Sequence, residues 1–207
     1  MIIIIIVVLL LLLLINCDSK CPCCVVEPGI SGGGNITDYR LYIYDSELAS
    51  DFKSEATKIC QDSKWHSLIK PKKLTIVDDV KKANITMQLS KRHVIDEIFN
   101  HKKEYYPNGE QINFSVTKLS PNFREIHIDE FNWKKGVSAS GMKLKDYRNY
   151  VILHELGHGL GYDHSSFSKT KFNMMFQWTR GVPPGCTINY SLENPQPNEN
   201  DLVNTIY

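Results

Sequence analysis

The eleven residues His154-Glu155-Leu156-Gly157-His158-Gly159-Leu160-Gly161-Tyr162-Asp163-His164 decide how this chain is read. In a helix, His154 and His158 are four apart and project from one face. Glu155 lies beside them, turned by about 100°. Gly161 permits the left-handed turn that ends a helix, and that turn brings His164 back as a third imidazole. Three neutral imidazoles hold Zn2+ without cancelling its charge and leave a fourth position for water, whose pKa falls to about 7. Glu155 is then placed to take the water's proton and return it to a leaving nitrogen. The expected roles are metal ligand for His154, His158 and His164, and general base for Glu155.

The competing view is a helix whose histidines are merely solvated. At this chain's own residue frequencies, the five fixed positions (three His, Glu, Gly) coincide with a probability on the order of 10⁻⁵. Gly157, Gly159 and Gly161 also sit badly in a purely structural helix, where each interior glycine costs about 1 kcal/mol relative to Ala. Two other classes stay open: an exported binding module that keeps zinc only as a staple, and a zinc amidohydrolase acting on a non-peptide amide. A staple has no need of a general base, so Glu155 speaks against the first. Substrate profiling separates the second.

Outward from the motif, apolar periodicity organises the chain from Tyr39. Tyr39, Leu41 and Ile43 alternate with polar or half-polar residues as in a strand, and Leu48, Phe52, Ala56 and Ile59 recur at helical spacing over 46–62. Short strands follow at 74–77 and 83–89. Residues 91–110 are polar, carry Pro107-Asn108-Gly109, and are expected to form a long loop. Ile112, Phe114 and Val116 mark a fourth strand, Ile126 and Ile128 a fifth, and Asp146 to Leu160 the helix that carries the histidines. The order β-α-β-β-β-β-α is that of an α+β domain. Trp65, Trp133 and Trp178 are expected as core or rim aromatics.

The histidine motif and its surroundings resemble the metzincin clan of zinc endopeptidases, and within it the matrixins, the matrix-metalloproteinase-like family. H-E-x-x-H-x-x-G-x-x-H is matched in full by His154, Glu155, His158, Gly161 and His164, and Ser165 after the third His fits matrixins. Asn173-Met174-Met175-Phe176 resembles the Met-turn that underlies the metal in this clan, with Met175 the better match, two or three residues further from the third His than usual. Ala83 to Met87 resembles the family's third strand, Ile126 to Asp129 with Trp133 its fifth, and Asn200 to Tyr207 its terminal helix. Tyr147 to His158, with Arg180-Gly181 and Gly185-Cys186, is also similar to an uncharacterised family of secreted bacterial zincin-like proteins.

The resemblance implies a zincin-like fold. Its parts are a twisted, mostly parallel five-stranded sheet with an antiparallel edge strand, two long helices, and a loop-rich C-terminal part with a Met-turn. It implies a zinc-dependent metalloendopeptidase whose partner is a protein or peptide substrate. In the clan the fourth strand is the edge lying over the active-site helix, and an extended peptide can ladder onto it. Here that strand is 111–117, and alternation points Ile112, Phe114 and Val116 inward, leaving Asn113, Ser115 and Thr117 outward as substrate-binding residues. Matrixins commonly hold a second, structural zinc and calcium. His93, Asp96, His101 and His127 are the candidates for such a site, but the family's H-x-D spacing is absent and surface or core histidines are the preferred reading. No P-R-C-G cysteine switch is present.

The chain's 207 residues suit one domain, and its 24 Lys+Arg against 23 Asp+Glu give a net charge of +1. That balance carries no electrostatic footprint for nucleic acid. Ile2 to Ile15 is an unbroken Ile/Val/Leu run. As a helix it spans roughly 21 Å against a bilayer core of roughly 30 Å, which suits a secretory signal or a short retained anchor. The expected division is 1–16 signal peptide or membrane anchor, 17–38 Cys/Gly-rich linker and 39–207 catalytic domain, in a secreted or extracellular-facing protein. Cys17, Cys21, Cys23, Cys24, Cys60 and Cys186 then meet an oxidising compartment, where Cys60 and Cys186 are expected to bond to each other or to the N-terminal cluster. Sequons at Asn35, Asn84, Asn113 and Asn189 give mild support for a glycosylated surface.

Overall fold

A computed structural model describes residues 37–99, 104–164 and 174–180. Five strands form one sheet: β1 (Asp38–Ile43), β2 (Lys73–Ile76), β3 (Ile85–Ser90), β4 (Val116–Ser120) and β5 (Phe123–Asp129), in spatial order β2-β1-β3-β5-β4. Every pairing is parallel except β4 with β5, so β4 is an antiparallel edge. The helices are α1 (Phe52–Cys60), α2 (Ser63–Leu68), α3 (Arg92–Phe99), α4 (Glu130–Lys135) and α5 (Leu144–Gly159). This is a mixed, mostly parallel α+β fold. Among the described residues no helix is long and apolar enough to cross a membrane.

Alternation makes the sheet two-faced. Leu41, Ile43, Ile85, Met87, Ile126 and Ile128 share one buried core with residues of α1 and α5. The central strand β3 is buried at nearly every position, as a parallel strand covered on both sides must be. Helix α5 contacts β5, β4, α1 and α4. From Tyr150 to Gly159 every residue of it is buried, so it runs through the core rather than over it. Trp65, Trp133 and Trp178 are all buried. Arg148 of α5 stacks on the Trp133 ring at 4.4 Å and pairs with Glu55 at 2.5 Å, tying α5 to α4 and α1.

Several elements differ from expectation. The helix expected over 46–62 is shorter, Phe52–Cys60, and a further helix follows it from Ser63, where the Asp62 carboxylate accepts the Lys64 N–H at 2.7 Å. Only α5, with 16 residues, is long, so a second long helix is not found among the described residues. The long loop expected at 91–110 opens with α3, whose Ile95 is buried. The fourth strand begins at Val116, four residues later than Ile112. Before it the chain makes a small hairpin, with Tyr105 bridged to Gln111 across a turn at Gly109.

With that shift the edge strand is buried on both faces, Val116 as expected and Thr117 against expectation. Thr117 is fully buried, lies opposite Ile126, and turns toward α5, while Ser115 is buried with its Oγ accepting the Asp129 N–H at 3.0 Å. Asn113 is half-buried and its carbonyl accepts from the Asn132 amide at 2.7 Å. Outward alternation over 113–117 is therefore corrected.

The sequon at Asn84 is not a surface feature: its side chain accepts from Arg40 N at 2.7 Å and donates to the Asp38 carbonyl at 3.0 Å, fastening β1 to the start of β3. Cys60 is a free thiol buried in the core, not half of a disulfide, and burial pushes its pKa up to about 12. The apolar segment 1–16, the linker cysteines, Cys186, Asn35, Asn189 and the expected terminal helix lie outside the described residues.

Asp129 ends β5 and starts α4. Its side chain is inaccessible to solvent, accepts the Asn132 N–H at 2.8 Å, and pairs with Arg92 of α3. Asp129→Ala removes a helix cap and strands a partly buried guanidinium, and is expected to cost about 3 kcal/mol of unfolding free energy. Urea unfolding measures it. A loss below about 0.5 kcal/mol refutes the role.

Candidate metal centre

Helix α5 supplies His154 and His158 from one face, and its C-terminus is built to return His164. Gly161 adopts φ 90°, the Tyr162 N–H reaches back to the Gly157 carbonyl at 3.0 Å, and the Gly161 N–H to the His158 carbonyl at 2.8 Å. This six-to-one and five-to-two pair is the Schellman arrangement, which a left-handed glycine makes possible. The three residues beyond Gly161 then carry His164 alongside the other two rings.

The imidazoles converge. His158 Nε2 lies 3.2 Å from His154 Nε2 and 3.1 Å from His164 Nε2, and the three ligand atoms fall within 4.8 Å of one another. His154 Nδ1 donates to the Met174 carbonyl and His158 Nδ1 to the Tyr162 carbonyl, each at 2.8 Å. A carbonyl only accepts, so both Nδ1 atoms carry hydrogen and both Nε2 atoms present lone pairs. Burial holds all three histidines neutral, with His154 driven down to about 3 and His158 and His164 lowered. Facing lone pairs at such distances repel unless a cation lies between them. Tetrahedral zinc with Zn–N near 2.0–2.1 Å sets its ligand nitrogens about 3.3 Å apart, close to what is found. The residues present fit a single Zn2+.

The floor beneath the histidines comes from 174–180. Met174 and Met175 are wholly buried, and Met175 packs against α5 at Gly157. A Cβ at Gly157 would lie 2.4 Å from Met175 Sδ, so glycine there admits the methionine. A Cβ at Gly159 would lie 3.4 Å from the end of Ile126, so that glycine lets α5 approach β5. Tyr150 of α5 fastens the segment, donating from its hydroxyl to the Phe176 carbonyl at 2.9 Å and accepting the Trp178 N–H at 3.1 Å.

Glu155 is buried beside the ligands, and burial pushes its carboxyl up to about 8 against the Thr117 hydrogen bond. It borders a cleft whose other walls include Phe114, Tyr150, Val151, Gln177 and Arg180. The Gln177 amide lies 3.2 Å from His164 Nε2. Across the cleft, Arg180 pairs with Glu104 and the Tyr106 hydroxyl donates to the Thr179 carbonyl at 2.5 Å, joining the 104–113 hairpin to the 178–180 turn.

Of the residues singled out from sequence, the structure brings together His154, Glu155, His158, His164, Met175 and Thr117, with Ser115 on the cleft. Asn113 is not on it. Gln177 and the carbonyls of Met174 and Tyr162 were missed. A backbone carbonyl has no sequence signature, and Gln177 could have been found only from its place two residues after Met175. The second-metal candidates do not assemble among the described residues: His93 is exposed, and His127 Nδ1 is engaged by Ser90 at 2.9 Å and by Gln88 at 3.1 Å. His101 lies outside the described residues.

Residues 57–183, more than half of the chain, match a family model described as protein of unknown function (DUF3152), and the chain belongs to that family. No curated protein matches it.

Gly157→Ala is expected to lose about 1–3 kcal/mol of stability despite alanine's better helix propensity, because buried Met175 must shift. His158→Ala is expected to abolish stoichiometric zinc uptake, since it removes the nitrogen nearest both others. Thermal unfolding and metal analysis of the purified variants check the pair. An unshifted melting temperature refutes the first expectation, and retained zinc the second.

Proposed function

We propose that this DUF3152 chain is an exported, zinc-dependent metalloendopeptidase of matrixin type. The observation that supports it best is the placement of a buried carboxylate, Glu155, between three converging imidazole nitrogens and an edge strand at the rim of a cleft. A pure staple has no use for that carboxylate, whose burial is costly.

His154, His158 and His164 would hold the metal, with the Met174 and Tyr162 carbonyls fixing two of the rings. Bound zinc supplies a Lewis acid that polarises a carbonyl and makes water a nucleophile near neutral pH. Glu155 accepts the proton released as water adds to the peptide carbonyl and delivers it to the departing amide nitrogen. Peptide and water give a carboxylic acid and an amine, and Glu155 ends as it began. The substrate extends along the outer edge of β4, its backbone adding to the sheet and one side chain entering the cleft between Phe114, Tyr150 and Arg180. Export is read from the apolar run at Ile2–Ile15.

Glu155→Gln is expected to lower peptide hydrolysis by about 10²–10⁴-fold while zinc remains bound one to one. Cleavage of a peptide library, with and without a chelator, and metal analysis of the same preparations test this. Undiminished turnover, or turnover indifferent to the chelator, refutes the reading. Hydrolysis confined to non-peptide amides assigns the chain to the amidohydrolases instead.

A further inference from the structure

Thr117 stands in the edge strand opposite Ile126, with no exposed surface. Its Oγ1 lies 2.7 Å from Glu155 Oε2 and 3.0 Å from the Glu155 main-chain carbonyl. Among the described residues this hydroxyl bonds nothing but Glu155. A buried hydroxyl without a partner is destabilising, and valine would fill the same space without that cost, so the oxygen is explained by what it touches.

A threonine hydroxyl has one proton to donate. The Glu155 carbonyl lies inside α5, where the helix ladder already supplies a donor, whereas the side-chain Oε2 lies nearer and takes the hydroxyl's bond. Among the described residues no hydrogen bond engages Oε1. One carboxylate oxygen is thus anchored, and the other is left for the reacting molecule. The anchor is stiff: threonine is restricted at χ1, and β4 is laddered to β5 from Val116 to Ser120. Glutamate alone has three side-chain torsions and no such restraint.

We propose that Thr117 is a positioning residue that holds the Glu155 carboxylate in register with the edge strand. This rests on the peptidase reading above. The strand that receives the substrate backbone would then also fix the base relative to it, so the distance from peptide to carboxylate is set within one element. Misplacement of a reacting group by about 1 Å can cost about 10²-fold in rate, and valine at 117 releases that restraint while leaving the three imidazoles in place.

The test uses the full chain loaded with zinc. Thr117→Val is expected to lower kcat about tenfold or more, with KM within about twofold and zinc content unchanged. Thr117→Ser keeps the hydroxyl and is expected to recover kcat to within about threefold of the original chain. A second readout needs no activity: in chelator-treated protein, a double-mutant cycle of Thr117→Val with Glu155→Leu should show coupling of about fivefold or more in the unfolding equilibrium constant. Should Thr117→Val not fold, Thr117→Ala takes its place in both arms. Unchanged kcat in the hydroxyl-free variant, a serine variant as slow as the valine one, or additivity in the cycle overturns the proposal alone. An unmodified chain that binds zinc yet cleaves no peptide overturns the peptidase reading, and the positioning role with it.

Discussion

Three converging imidazoles, with His158 Nε2 held 3.1–3.2 Å from the Nε2 of each of the other two, are the constraint on which the rest of this molecule depends. Left to themselves the rings would rotate apart or take up protons. The chain prevents the first by spending backbone carbonyls on the far side of two rings, Met174 on His154 and Tyr162 on His158. It prevents the second by burial, which disfavours every imidazolium. A cation of the right size then relieves a repulsion the fold has already been made to bear. The Tyr162 carbonyl is available only because the chain reverses at Gly161, so one left-handed glycine both returns the third ligand and orients the second.

Packing around α5 follows from the same need. The histidines sit deep, so the helix that bears them must itself be buried, and a helix buried all round needs neighbours on each side. The sheet provides one side, where Gly159 allows close approach to Ile126 and Ile85. The 174–180 segment provides another, where Gly157 makes room for Met175. Each glycine costs the helix about 1 kcal/mol of propensity. Contact with the sheet and with the methionine offsets that cost, which accounts for glycines in a helix that nonetheless reaches 16 residues.

What was legible in sequence was whatever repeats with a fixed period or carries its chemistry in side chains. The histidine spacing, the left-handed glycine and the alternation of β1, β3 and β5 belong to this group, because two- and four-residue periods survive translation into structure. The edge strand was legible in place and not in register. Apolar residues at 112, 114 and 116 continue an alternation, but 112–115 is not in the sheet, and in the strand that follows Val116 and Thr117 are both buried, so alternation no longer tells the faces apart. Helices α3 and α4 escaped because they are short and are fixed by the Arg92–Asp129 pair, which joins residues 37 apart. Thr117 was noticed for the wrong reason, as an outward contact, when its neighbour is a residue 38 positions away. Asn84 carries a surface signature, yet its amide serves the sheet.

The parts of the site also differ in what supports them. Ligand geometry depends on α5, the Gly161 turn and two carbonyls, all local to 154–164 except the Met174 contact. The cleft depends on distant pairs: Glu104 with Arg180, Tyr106 with Thr179, and Tyr150 with the chain at Phe176 and Trp178. Arg180 also lies 5.2 Å over the Phe114 ring, so one guanidinium serves both walls. Damage to α5 or its turn therefore disrupts the histidine triad and the cleft together, since the helix bears both. Damage to the hairpin at 104–113 leaves the imidazoles oriented and alters only the space beside them. Glu155 stands at the junction, carried by the helix that holds the metal ligands and bonded to the strand that borders the cleft. Its carboxyl group therefore touches both parts of the site.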